Sequence, residues 1–135
     1  MTNAMNASRL LVFVTGLFFG LYGFAFSIFP VEMSFFVTDG SPGTPSGIID
    51  LRASYGGMSV ATGLILLICA CKPGFLIPGL SIIAILLSAM AGTRLLGMLL
   101  DGAPNRIMYL YLVAEIIVAA LALYLRKTES NNMGA

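Results

Sequence analysis

Histidine is absent from the 135-residue sequence, and cysteine occurs only at Cys69 and Cys71. Without an imidazole, neither a Ser-His-Asp nor a Cys-His catalytic arrangement can be assembled. Zinc, haem and copper also lose their commonest ligand, so no metal and no other cofactor is expected. Charge is scarce as well. Asp, Glu, Lys and Arg make up 10% of the chain, against about a quarter in soluble domains. The seven cations are scattered and the net charge is +1, which leaves no basic footprint for nucleic acid. Nor is there a polar stretch long enough to enclose a soluble core.

What the chain has is apolar length. It is 59% hydrophobic with a mean hydropathy of +0.98, the composition of an integral membrane protein. Apolar segments run over 10–30, 48–71, 75–100 and 107–125. Each supplies about 20 residues or more, enough at ~1.5 Å per residue to cross a hydrocarbon core of ~30 Å. The expected fold is all-α: a single antiparallel four-helix transmembrane bundle over 1–127, with 128–135 a disordered cytoplasmic tail. The first segment follows Arg9 but is too long for a signal-peptide core and lacks a small-residue cleavage site, so it reads as a retained helix.

Lys72-Pro73-Gly74 and the run from Asp101 to Asn105 form short breaks that predict helical hairpins. The connection from Val31 to Gly47 is longer, carries Glu32 and Asp39, and reads as a polar external loop with an interfacial patch at Phe35 and Phe36. Ser46 is the expected N-cap of the second helix. With four spans, Arg9, Lys72, Arg126 and Lys127 share one side. The positive-inside rule makes that side the cytoplasm and puts both termini there. Glu32, Asp39, Asp50, Asp101 and Arg106 rim the opposite side.

Gly16 and Gly20 make a G-x-x-x-G spacing in the first helix, with Gly23 near by, and the second helix carries Gly56, Gly57 and Gly63. Such residues let helix backbones approach closely in lipid, so a packing seam is expected.

Three ionisable residues, Arg52, Arg94 and Glu115, fall within or at the edge of the apolar segments. Charges at membrane depth are costly and tend to face a bundle interior and pair. Arg52 and Arg94 each lie 21 residues from Pro73, which predicts equal depth on antiparallel helices. Arg94 lies nine residues before Ala103 and Glu115 twelve after it, an offset of roughly 4–5 Å at the helical rise. An arginine side chain can span that, so Arg94 with Glu115 is the expected intramembrane pair and Arg52 a third member. Helical spacing puts Arg52, Tyr55, Ser59 and Thr62 on one stripe, Arg94, Gly97 and Asp101 on another, and Met108, Tyr111 and Glu115 on a third. Tyr22 is the inward polar group of the first helix. Two guanidinium groups against one deep carboxylate leave a positive charge over, suited to a carboxylate or phosphate.

The runs Leu51-Arg52-Ala53-Ser54-Tyr55-Gly56-Gly57, Gly92-Thr93-Arg94-Leu95-Leu96-Gly97 and Asp101-Gly102-Ala103-Pro104, followed by Glu115 in the last helix, resemble a family of small bacterial four-helix membrane proteins catalogued as a domain of unknown function. The resemblance covers nearly the whole chain. It implies four spans and a bacterial plasma membrane, and carries no activity, substrate or cofactor.

Three functions compete. The first is binding, or movement, of an amphipathic or anionic small molecule or lipid in an outer-half cavity lined by Arg52, Tyr55, Arg94, Asp101, Tyr111 and Glu115. The second is an accessory subunit of a homodimer or larger membrane complex, with the charges forming an internal network. A membrane enzyme ranks last, because only Glu115, Asp101 and Tyr55 offer acid-base chemistry. Glu115 also admits a reading as a proton-coupling carboxylate, which Arg94 opposes by favouring the ionised form.

Overall fold

A computed structural model describes residues 2–133, with side-chain surroundings described over 7–132. The elements in order are α1 (Thr2–Ile28), α2 (Pro30–Thr38), α3 (Pro45–Leu51), a π-helical segment (Arg52–Gly57), α4 (Met58–Cys71), α5 (Leu76–Asp101) and α6 (Arg106–Met133). The chain is all-α, and α3, the π segment and α4 run on as one rod. Four rods are long and apolar enough to cross a membrane: Ala7–Ile28, Pro45–Cys71, Leu76–Asp101 and Arg106–Asn132. Helices suit this composition because only they satisfy every backbone N–H and C=O within one segment.

The stretch expected to be a loop contains α2. Proline ends α1 and also starts α2, since at the first turn its missing N–H costs nothing and its fixed φ is helical; Pro30 occupies that place. The second rod is capped by Thr44 rather than Ser46. Pro45 takes the first helical position, so the residue before it becomes the cap, and the Thr44 hydroxyl accepts from Gly47 N at 3.2 Å. Ser46 is already inside the first turn.

Gly74, at φ 82, turns the chain between α4 and α5 in a conformation open to glycine. This turn lies at the same end of the bundle as the N-terminus of α1 and the C-terminus of α6, here termed the terminal end. The opposite, loop end holds α2, Thr44 and the α5–α6 connection.

Packing is strongest between sequential neighbours: α1 lies along α4 and the π segment, and α5 along α6. Glycine makes the first pair possible. A Cβ added to Gly63 would lie 2.5 Å from Gly20 N and 2.7 Å from Gly16 O, and one added to Gly23 would lie 2.5 Å from Val60 N. The expected seam is therefore closed inside the chain. The apolar core gathers toward the terminal end, with Val12 and Phe19 from α1, Leu66 and Ala70 from α4, Leu80, Ile83, Ala84 and Leu87 from α5, and Ala119, Ala122 and Leu125 from α6.

The segment expected to be a disordered tail is helical as far as α6 reaches. Ser8 Oγ donates to the buried Glu129 carboxylate at 2.7 Å, and Arg126 Nε donates to Ser81 Oγ at 2.8 Å. These contacts give the end of α6 tertiary partners that its polar composition does not suggest. Gly134 and Ala135 lie outside the described residues.

Candidate functional site

Ala91 is buried three residues before Arg94 on α5, and Ala119 is buried four residues after Glu115 on α6. These spacings put both charged side chains on the faces the two helices turn toward the bundle. Their contact is a fork. Arg94 Nη2 donates to Glu115 Oε1 at 2.6 Å and Arg94 Nε donates to Oε2 at 3.1 Å. The arginine side chain is 18% exposed and the glutamate 7%. Two parallel charge-assisted bonds fix orientation as well as distance. A pair this removed from water is held by its geometry, because each charge alone would be strongly disfavoured there.

Arg94 has two further neighbours, both from α6. Its Nη1 donates to Met108 Sδ at 2.8 Å, and its guanidinium carbon lies 5.4 Å from the centre of the Tyr111 ring. Met108, Tyr111 and Glu115 therefore share one α6 face around a single arginine. A thioether is a weak acceptor, so one arm of the guanidinium has only a poor partner.

From Tyr111 an aromatic column crosses the bundle. Tyr111 meets Tyr22 edge to face at 6.4 Å, Tyr22 meets Phe26 at 4.9 Å, and Phe26 stacks on Tyr55 at 5.2 Å. Tyr55 is thus joined to Arg94 through rings rather than by direct contact.

Arg52 is not a member of the cluster. Its Nη1 donates to Ser27 O and Ile28 O, the last carbonyls of α1, where a cation also complements the helix dipole. The reason lies in the π segment. Met58 N bonds to Ala53 O, five residues back, so one extra residue enters the turn. An extra residue rotates everything before it by about 100° relative to a continuous α-helix. The stripe from Arg52 to Thr62 is broken by that rotation. Asp101 also stays outside: it is exposed in the last turn of α5, two turns beyond Arg94, where Gly102 at φ 104 ends the helix. The expected surplus of positive charge is consequently corrected. Arg94 and Glu115 neutralise each other, and Arg52 sits on backbone carbonyls.

Asn105 lay outside the sequence-based site. Its Nδ2 donates to Val37 O at 3.0 Å and Asp39 Oδ2 at 2.9 Å, and its Oδ1 accepts from Met108 N at 3.0 Å. One side chain both caps α6 and holds the end of α2. The position of Asn105 just before a helix was a legible capping signal; its reach to Val37 was not. No group of three or more His, Cys, Asp or Glu side chains converges to hold a metal among the described residues.

Comparison with known families adds one result. The model of the family described as "Domain of unknown function (DUF4345)" matches residues 7–126. The chain belongs to this family. For this DUF4345 member, the match runs from the start of the first membrane-compatible rod to Arg126 and so takes in the Arg94 and Glu115 pair. No curated protein and no solved structure matches the chain.

Proposed function

We propose that this chain is an integral protein of a bacterial plasma membrane, with both termini cytoplasmic, that holds the polar head of an amphipathic or anionic small molecule or lipid beside Arg94 and Glu115. The observation that carries this reading is a change of packing at the ion pair. On the terminal side of it Leu87, Ala91, Ala119 and Ala122 are buried. On the loop side no residue from Gly92 to Ala114 is buried. Phe26 and Val37 from α1 and α2 keep a buried patch at the loop end, while the pair marks the point on α5 and α6 beyond which their own residues are no longer buried. There, Arg94 Nη1 has a thioether as its acceptor, which an oxygen of a carboxylate, phosphate or carbonyl would improve upon. The tyrosine and phenylalanine column offers ring faces to the apolar part of such a molecule. Arg9, Lys72, Arg126 and Lys127 at the terminal end support the orientation.

The second reading, an accessory subunit, is favoured by the closed fork between Arg94 and Glu115, which satisfies both charges without a ligand. Because the glycine seam is occupied within the chain, a partner would have to use the outward faces. Native mass spectrometry from mild detergent separates the two. A bound amphiphile present on wild type and lost from Arg94→Leu supports the binding reading. A protein free of small molecules that leaves the membrane attached to a second subunit supports the accessory reading and removes the first.

A further inference from the structure

The helix α2 has two unlike faces. Pro30, Ser34 and Val37 are buried against the bundle. The opposite arc carries Phe35 (55% exposed) and Phe36 (64%), together with Glu32 and, at the cap, Asp39; Ile28 (48%) and Phe29 (55%) are exposed at the break just before the helix. At 100° per residue Glu32, Phe35, Phe36 and Asp39 fall within an arc of about 100°. Two phenylalanines on this arc and a third at the break before it are costly to leave in water.

The direction of α2 is set by its two ends. Phe29, at φ −121 and ψ 56, breaks the helical path after α1. The far end is tied by Asn105 to the α5–α6 connection. Both anchors belong to the loop end, so α2 crosses that end from α1 toward α6 instead of continuing along the axis of α1. Nine residues cover about 13 Å at the helical rise, a step across a bundle and not an extension of it. The outward face of α2 then continues the apolar surface of α1, where Phe24 is 62% exposed.

We infer that α2 is a membrane-surface helix, with Phe29, Phe35 and Phe36 seated in the boundary between headgroups and acyl chains of the leaflet at the loop end. Continuity with the lipid-facing surface of α1 selects lipid as the occupant. The charges on the arc, Glu32 and Asp39, are acidic, so α2 is held by apolar burial and not by attraction to anionic lipid.

The chain contains no tryptophan, which makes a single Trp an unambiguous reporter. Phe36→Trp and, separately, Phe35→Trp would be reconstituted in phosphatidylcholine vesicles brominated either near the headgroup or deep in the acyl chain, with Phe18→Trp from mid-span as the reference. The expected result is stronger quenching of the α2 reporters by shallow bromine and of the reference by deep bromine, unchanged when anionic lipid is added. Quenching of the α2 reporters by aqueous iodide but not by brominated lipid would overturn the inference by placing the face in water. Protection from both quenchers would overturn it equally, because another protein surface would then cover α2.

Discussion

Ser8 and Glu129, 121 positions apart, share a 2.7 Å hydrogen bond that ties the first membrane helix to the last at the terminal end. Ser8 is wholly buried and Glu129 is 9% exposed. Replacing Ser8 by Ala removes the donor while leaving the carboxylate in place. The expected cost is about 1–3 kcal/mol, the usual penalty for a buried polar group losing its partner. Hydrogen exchange should show faster exchange confined to the amides after Arg126, with the core of α5 unchanged.

The fork between Arg94 and Glu115 predicts non-additive mutations. Arg94→Leu or Glu115→Leu alone leaves one charge without its partner and should destabilise by about 3–5 kcal/mol. The double variant leaves none and is expected to recover much of that loss. Unfolding in mixed detergent micelles, arranged as a double-mutant cycle, measures the coupling. Equal and additive losses would show that the two side chains do not act as a pair.

The glycine seam predicts a contrast between neighbours. Gly63→Ala drives a methyl group into the backbone at Gly16 and Gly20, whereas a Cβ at Gly20 meets nothing within 4 Å. Overpacking of this kind costs roughly 1–3 kcal/mol, so Gly63→Ala should lower the thermal midpoint and Gly20→Ala should leave it close to wild type. Thermal unfolding of the two variants in the same detergent checks the difference.

Asn105→Ala should free the end of α2 and uncap α6 together, since one amide serves both. The expected readout is faster amide exchange over α2 and in the first turn of α6, with the terminal-end core protected as before. Asn105→Asp keeps the acceptor for Met108 N but loses the donor to Val37 O, and should restore only the α6 cap.

The contact between Arg94 and Glu115 could be anticipated because α5 and α6 are α-helical on both sides of a short turn, where residue count converts directly into height. Face assignment by helical spacing misplaced Arg52, because it assumes a uniform turn and the π segment carries one residue more. No propensity in Arg52-Ala53-Ser54-Tyr55-Gly56-Gly57 announces that change. Pro30 was legible as a helix end and equally as a helix start, and only tertiary contacts at Ser34 and Val37 decide for α2. The polar run from Thr128 onward reads as a tail by composition. It is helical because Glu129 finds Ser8 across the bundle, a partner that lies beyond any local window.

The pairing of α1 with α4, and of α5 with α6, also bears on how the protein is made. Each pair consists of consecutive spans, so the first two can close their glycine contact while the last two are still being synthesised. The halves meet afterwards through larger side chains such as Val12, Leu80 and Ile83. A chain severed in the Lys72-Pro73-Gly74 turn and co-expressed as two fragments is therefore expected to reassemble in the bilayer, each fragment entering as its own hairpin.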